Sequence, residues 1–389
     1  YKFFYYIINH LICINIIFFI FYYINFKLNL SMEPDNINDI RQDFKNITFS
    51  KFQKSKAKQE LINCIYNCKI ENACYWCAEF ICAGHFLDLW DIIIIYFCKY
   101  IHSGNPKLPI YLNMRYESFL TILKNGYSTN VLIMRNNKKI RKLFAEIICI
   151  LCYSFKKHNY QEVKLNKTEE FDLINITEKF KAPNIHYIDN ILKDDDPKEL
   201  LIPCNELIYN LENKNLIDTC YWFEWILEYE NICKKKKKKC MCQGRTYAPN
   251  GNQNDIIWIL WDIIFYYSNS ENIQNIENIK NINKESKNII SKIIKSLYEL
   301  FIIRYNPPTK RRRKFIIYFC FSLIIEKHNF DSALTNKSKE IEAIVLKIDS
   351  IYKEIKKNEI SPNTDYLFTN IKKSNLEKTI EKIEMINNI

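Results

Sequence analysis

The sequence Leu89-Trp90-Asp91-Ile92-Ile93, with Tyr96 after it, recurs later in the chain as Leu260-Trp261-Asp262-Ile263-Ile264 with Tyr267. Both runs are apolar and show no two-residue alternation, which favours buried helices over strands. Each run carries one tryptophan and one aspartate at the same places. A match that includes these rarer residue types indicates an internal repeat.

Two more blocks recur in the same order around this one. A Glu-Leu-Ile triplet followed fourteen residues later by Cys-Tyr-Trp precedes it, and a Lys-His-Asn-aromatic block follows it. The interval from the aspartate to the histidine is 67 residues in the first half and 66 in the second. Three blocks in one order indicate two diverged copies of one unit. The flanking blocks of the first copy are Glu60-Leu61-Ile62, Cys74-Tyr75-Trp76 and Lys157-His158-Asn159-Tyr160. Those of the second copy are Glu206-Leu207-Ile208, Cys220-Tyr221-Trp222 and Lys327-His328-Asn329-Phe330.

The repeat predicts an all-α, pseudo-twofold protein, since proline and glycine fall between long apolar runs. The expected divisions are a polar linker at 32–55, copy 1 at 56–165, a connector at 166–196, copy 2 with insertions at 197–330, and C-terminal helices at 331–389. The low-complexity stretch from Ser268 to Ser286 is predicted to be a loop. Helices are predicted near 57–83, 86–102, 138–157, 198–230, 254–267, 287–304 and 311–327.

The C-terminal part carries an amphipathic pattern. An apolar stripe at helical spacing runs from Ile341 to Ile355, and Ser374 with Glu377 predicts a capping box for a last helix. This tail is expected either to cover the core or to bind a protein partner, including a second copy of the chain.

The first 31 residues are apolar and contain no acidic residue. One interpretation is a signal anchor or membrane helix, and the other is AT-rich untranslated DNA read in frame. Contact with a membrane is therefore expected only if this segment belongs to the protein.

Charge and cysteine content bear on partners and compartment. The formal net charge is +12, which favours an acidic partner, with nucleic acid as the leading candidate. The fifteen cysteines lie largely in apolar, helical surroundings, unlike those of a small secreted domain. A reducing, intracellular location is expected.

Metal and cofactor sites are not expected. Cys74-x-x-Cys77 and Cys240-x-Cys242 could hold zinc, but Cys77 corresponds to Phe223 in the second copy, so ordinary side chains can replace that cluster. Buried thiols acting as small apolar groups explain the cluster better. The sequence also contains no nucleotide-binding P-loop, dinucleotide fingerprint, nucleophile elbow or HExxH motif, and its five glycines leave little room for a phosphate loop.

The other recurring polar residues have structural explanations that outweigh catalysis. Asp91 and Asp262 lie in apolar runs, where a helix cap or an internal salt bridge is expected. His158 and His328 follow apolar helices, where a cationic side chain favours the C-terminal carbonyls. The tryptophans of the repeat are expected to be core anchors rather than base-stacking platforms.

Two basic segments are the candidate binding residues. Each precedes or begins an apolar helix, where the helix dipole disfavours cations. A bound phosphate would relieve that cost by accepting hydrogen bonds from helix N–H groups and guanidinium groups. A solvated basic loop, or a nuclear-import signal in the second segment, is the alternative interpretation. The candidate residues are Lys138, Lys139, Arg141 and Lys142, with Lys310, Arg311, Arg312, Arg313 and Lys314.

Several motifs resemble an uncharacterised protein of nucleocytoplasmic large DNA viruses of the mimivirus and algal-virus kind. They are Lys181-Ala182-Pro183, Asp196-Pro197-Lys198-Glu199-Leu200, Cys220-Tyr221-Trp222 and Asp255-Ile256-Ile257-Trp258. The resemblance spans most of residues 56–330 and implies a setting, the host cytoplasm with its virus factory or the virion, without a known activity.

A shorter resemblance points to the helical collar of clamp-loader-related ATPases. It is carried by Ala73-Cys74-Tyr75-Trp76-Cys77-Ala78, Ala83-Gly84 and Gly104-Asn105-Pro106, under a tenth of the chain. No ATPase module precedes these residues, so the resemblance implies only a helical, replication-associated scaffold.

These observations predict a non-enzymatic, helical nucleic-acid-binding protein that contacts phosphates through its two basic segments. The rival class is a structural or assembly protein of a virion, in which the helices make protein contacts. An enzyme that uses Asp91 or Asp262 is the third possibility, although no acid-base pair supports it.

Overall fold

The computed structural model describes residues 36–157, 160, 163, 165, 171, 176–269 and 284–360. These residues form thirteen α-helices and no β-strand, apart from one isolated bridge between Ile47 and Gln53. The predicted all-α class is confirmed. The predicted leader at 1–31 and the capping box at Ser374 and Glu377 lie outside the described residues.

Five helices make up the first half of the fold. A π-helical turn, Phe97–Ile101, continues the third of them, and a 3₁₀ helix, Val131–Asn136, leads into the fifth. Each helix buries an apolar face, and Trp90 is completely buried among aromatic rings. The helices are α1 Lys54–Tyr66, α2 Ile70–Cys82, α3 Phe86–Tyr96, α4 Leu108–Lys124 and α5 Lys138–Tyr153.

Six helices make up the second half, after short 3₁₀ turns at His186–Ile188 and Lys198–Leu200. Trp222 and Trp261 are buried here, which confirms them as core anchors, whereas Trp76 of the first half stays partly exposed beside Phe52. The helices are α6 Leu201–Glu212, α7 Leu216–Lys235, α8 Ile257–Ser268, α9 Lys284–Ile302, α10 Thr309–Arg312 and α11 Lys314–Ile325.

The helix pairings in the two halves correspond. Helix α1 packs on α2 as α6 packs on α7, and α5 contacts α1, α2 and α4 as α11 contacts α6, α7 and α9. The halves meet where α4 packs on α9 and where α11 packs on the π-helical turn after α3. These contacts are compatible with a two-copy chain. The pseudo-twofold organisation itself stays a prediction.

The α1–α2 and α6–α7 turns share one backbone conformation. Cys68 and Lys214, each eight residues after the glutamate of the repeated triplet, have positive φ angles of 55° and 58°. In both turns the next N–H donates to a carbonyl five residues back, Lys69 to Cys64 and Asn215 to Asn210, each at 2.9 Å. This is the Schellman arrangement that ends a helix. It splits the single helices predicted at 57–83 and 198–230.

Other differences from the predicted helices have equally local causes. Helix α4 was not predicted, although Pro109 stands in its first turn, where proline is well tolerated. The helix predicted at 311–327 is two helices, since Arg313 has a non-helical ψ of 19° between α10 and α11.

The C-terminal stripe covers the core of the first half. It forms two helices, α12 Ser338–Leu346 against α5 and α13 Asp349–Lys356 against α2. Ile341, Ile348 and Ile355 are buried in these contacts. The first of the two predicted roles is thus met within the described residues, while residues 361–389 lie outside them.

Within the described part of the chain, every helix is too short or too polar to cross a bilayer.

Candidate nucleic-acid interface

The first basic segment begins helix α5, as predicted. Asn137 caps this helix, since its side-chain oxygen accepts hydrogen bonds from the N–H groups of Lys139 at 2.9 Å and Ile140 at 3.2 Å. These N–H groups already have an acceptor, so a phosphate here would depend on side chains more than on the helix end. Lys138, Lys139 and Lys142 are exposed, and no acidic residue stands in the first turn.

Arg141 differs from the lysines around it, because it is only 1% exposed. Its guanidinium donates to the Arg135 carbonyl at 2.8 Å and to Asp349 at 3.1 Å, and it lies over the ring of Tyr352 at 4.1 Å. These contacts fasten helix α13 to α5. In this conformation Arg141 is not accessible to a phosphate.

Lys310 is buried in the second basic segment, also at 1% exposure. Its ammonium donates to Asp255 at 2.5 Å and to Oε1 of Glu230 at 2.7 Å. Both carboxylates are themselves nearly buried. Lys310 therefore neutralises two core carboxylates instead of facing solvent.

Arg313 joins the two halves of the fold. One of its nitrogens donates to the carbonyls of Leu300, Phe301 and Ile303 at the end of α9, between 2.7 and 3.2 Å. The other pairs with Asp91 on α3. A buried cation at a helix C-terminus is favourable because it neutralises the carbonyl end of the helix dipole. Arg313 thus acts as a structural cap.

The other members of this segment lie nearer the surface. Arg312 is 53% exposed, with Thr309 Oγ1 at 3.2 Å and Asp91 at 4.0 Å. Arg311 is partly exposed and pairs with Glu228, while Lys314 lies 2.9 Å from Glu224 and is mostly covered. The segment is helical and largely paired, so the solvated-loop alternative is wrong.

The two recurring aspartates both form ion pairs with arginine, as expected of carboxylates in apolar runs. Asp91 is held by Arg313, and Asp262 receives hydrogen bonds from Arg245 Nε and from the Tyr247 hydroxyl, both at 2.7 Å. Next to Asp262, burial raises the pKa of Tyr247, and the negative charge of the aspartate raises it further. A catalytic role for either aspartate gains no support from these pairings.

Arg245 is the centre of a buried network in the insertion of the second half. Its two terminal nitrogens donate to Asp196 at 2.6 and 2.7 Å, and both side chains are fully buried. Burial alone would raise the pKa of Asp196. Hydrogen bonds from Arg245 and from the backbone N–H of Lys193 and Gln243 outweigh burial and hold that pKa below its usual value. The pair of Arg245 and Asp196 was not predicted from the sequence, although an internal salt bridge was expected for the neighbouring Asp262.

His328 lies beside the C-terminal carbonyls of an apolar helix, as predicted. Its Nε2 lies 2.9 Å from the Ser322 carbonyl near the C-terminal end of helix α11. His158 lies outside the described residues.

The cysteines are buried free thiols for the most part. Burial raises the pKa of Cys77 and Cys82, and the Cys242 thiol donates to the Asp255 carbonyl at 3.1 Å. Burial also raises the pKa of Cys240, to about 12. Among the residues that the structure describes, no three His, Cys, Asp or Glu side chains are arranged to hold a metal ion.

The division of the segment 310–314 can be tested by paired substitutions. Arg313→Ala removes the cap of α9 and the partner of Asp91, and we expect it to lower the free energy of unfolding by about 2 kcal/mol. Arg312→Ala breaks only an exposed contact and should cost less than about 1 kcal/mol. Urea denaturation of both variants measures the difference. Equal losses would mean that burial does not distinguish the two arginines.

No family model, curated protein or solved structure matches the chain. The resemblances to a large-DNA-virus protein and to a clamp-loader collar stay predictions.

Proposed function

We propose that this is a non-catalytic helical protein that binds nucleic acid through the exposed cations of its two basic segments. The observation that supports this most is the division of those segments by burial. Arg141, Lys310 and Arg313 serve the core, whereas Lys138, Lys139 and Lys142 remain on the surface in the first turns of α5. A cluster of exposed lysines in the first turns of one helix suits contact with phosphates.

The overall charge supports the same proposal. A net charge of +12 attracts polyanions, and phosphate contacts supply most of the affinity of non-specific nucleic-acid binding. The alternative of an enzyme that uses Asp91 or Asp262 is less favoured, because both carboxylates form ion pairs with arginine. The setting that accompanies the proposal is the one implied by the viral resemblance, a cytoplasmic virus factory or a virion.

The test is binding of labelled duplex and single-stranded DNA across a salt series, with the wild type and a triple variant, Lys138→Gln with Lys139→Gln and Lys142→Gln. Each lost phosphate contact should reduce the slope of log K against log salt by about 0.9 for duplex DNA, so we expect a reduction of about three. The lysines are exposed, so the fold should be unaffected.

A matched control removes the same charge elsewhere. The substitutions Lys69→Gln, Lys193→Gln and Lys198→Gln change three exposed lysines outside the basic segments. The control should keep the wild-type slope. Absence of DNA binding by the wild type at low salt would contradict the proposal and favour the virion assembly protein. Equal slopes for the two triple variants would show that Lys138, Lys139 and Lys142 do not contact phosphate.

A further inference from the structure

A polar cleft lies where the two halves of the fold meet. Its volume is about 520 Å³, within the range of small-molecule sites. The first turns of α1, the outer face of α3 and the Arg312 side chain line it, and most of the lining is polar. We call it the α1–α3 cleft. Its charged lining residues are Lys54, Lys58, Asp88, Asp91 and Arg312, and Ser55 lies among them.

Cations outnumber carboxylates in the α1–α3 cleft, three to two. Asp91 is held from the core side by Arg313, and Arg312 lies farther from it, at 4.0 Å, with half of its side chain exposed. Lys54 reaches Asp88 at 2.9 Å, which holds its ammonium at the cleft wall. Arg312 and the exposed Lys58 therefore present positive charge that the two carboxylates do not fully neutralise.

The N-terminus of α1 opens into the same cleft. Gln53 occupies the N-cap position without a side-chain hydrogen bond, and the first turn contains no acidic residue. In this turn the N–H of Lys54 donates to the Asn46 carbonyl at 2.9 Å and that of Ala57 to the Gln53 carbonyl at 3.0 Å. The N–H groups of Ser55 and Lys56 remain as donors for an anion. Helix α5 differs, because Asn137 caps it.

We infer that the α1–α3 cleft binds a phosphate group. Arg312, Lys58 and Lys54 provide charge-assisted donors from two halves of the fold, and the N–H groups of Ser55 and Lys56 provide backbone donors. The inference rests on the proposed function for its source of phosphate, a nucleic-acid backbone. It adds Lys54 and Lys58, which the basic-segment pattern did not include, to the proposed interface. A free polyphosphate has the same chemistry and is the other possible source.

Ser55→Glu is the test variant, because it places a carboxylate in the cleft at the second position of α1. An acidic residue there favours the helix dipole, so the melting temperature should stay the same or rise. Binding of an anion in the cleft should fall by at least about tenfold at low salt, since the new charge repels it at close range. Lys56→Gln changes the net charge equally on the neighbouring residue, which is exposed and does not line the cleft.

Two probes separate the outcomes: inorganic tripolyphosphate by calorimetry, and labelled duplex DNA across salt. We expect Ser55→Glu to weaken both, and Lys56→Gln to leave tripolyphosphate binding within about twofold. If the wild type binds DNA and Ser55→Glu behaves like Lys56→Gln with both probes, the cleft inference is overturned while the proposed function stands. If only tripolyphosphate binds, and Ser55→Glu abolishes that, the cleft is a phosphate site and the nucleic-acid proposal fails. If neither probe binds the wild type, both fail.

Discussion

Replacing Arg245 with methionine is expected to lower the free energy of unfolding by about 4 kcal/mol, the largest loss from a single substitution that we predict. The guanidinium holds Asp196 with two hydrogen bonds and Asp262 with a third, and neither Arg245 nor Asp196 has any exposed side-chain surface. Methionine fills similar volume but leaves a buried carboxylate without a cation. Chemical denaturation of the full chain measures the loss.

Two further variants identify the cause of that loss. Lys239→Met removes a positive charge from the same insertion at an exposed position, and it should cost less than about 0.5 kcal/mol. Adding Asp196→Asn to Arg245→Met should recover part of the stability, because a neutral amide is less costly to bury than a carboxylate. A loss for Arg245→Met no larger than that for Lys239→Met would contradict a structural role for the network.

The pH dependence provides a second readout of the same pair. The pKa of Asp196 is lowered in the folded protein, so its contribution to stability is present above the unfolded pKa of about 3.9 and is lost as pH falls through the folded value. In Arg245→Met, burial without a partner should raise that pKa instead, so acid would protonate the carboxylate and relieve the penalty. The difference in stability between wild type and variant should therefore shrink as pH falls, first through the raised pKa of the variant, above the unfolded value of about 3.9, and then through the lowered pKa of the wild type.

Replacing Lys310 with methionine is expected to cost about 3 kcal/mol. The ammonium is the cation shared by Glu230 and Asp255, both of them nearly buried, so its removal leaves two carboxylates close together in the core. The loss should be smaller than for Arg245, since the exposed Lys234 also pairs with Glu230 at 2.7 Å. Denaturation midpoints with Arg312→Met as the exposed control measure it.

The same variant also separates structure from binding. Lys310→Met should leave the salt dependence of DNA binding unchanged, because the ammonium does not reach the surface. Adding Asp255→Asn should restore part of the stability. A shallower salt slope for Lys310→Met, at an unchanged stability, would mean that Lys310 contacts phosphate and that its burial is not maintained in solution.

The helices could be predicted where apolar periodicity is strong, and the breaks could not. Cys68 and Lys214 adopt positive φ angles although neither is glycine. The residue types therefore did not predict the turns between α1 and α2 or between α6 and α7. Helix α4 was also not predicted, although Leu108, Tyr111, Leu112 and Phe119 form a buried face at helical spacing. These features depend on packing between helices, which overrides local propensity.

For the candidate site, the sequence predicted two basic segments as binding residues, and the structure buries Arg141, Lys310 and Arg313 of them while their neighbours lie nearer the surface. Asp91 and Asp262 were expected to need partners, and each has an arginine. Lys54 and Lys58 were missed because they belong to the polar start of α1, where nothing in the local pattern marks a cleft. The cleft exists only once Arg312 of the second half is placed opposite α1.

The sequence by itself determined the helical class, the places where apolar faces must be buried, and the excess of positive charge. Only the tertiary structure decided which cations are buried. Arg141 meets Asp349 across 208 residues, and Arg313 meets Asp91 across 222. The reason is physical: burying a charge is tolerable only beside an opposite charge, and the fold brings that partner from a distant part of the chain. The same basic residues therefore divide into core and surface in a way that their order along the chain does not reveal.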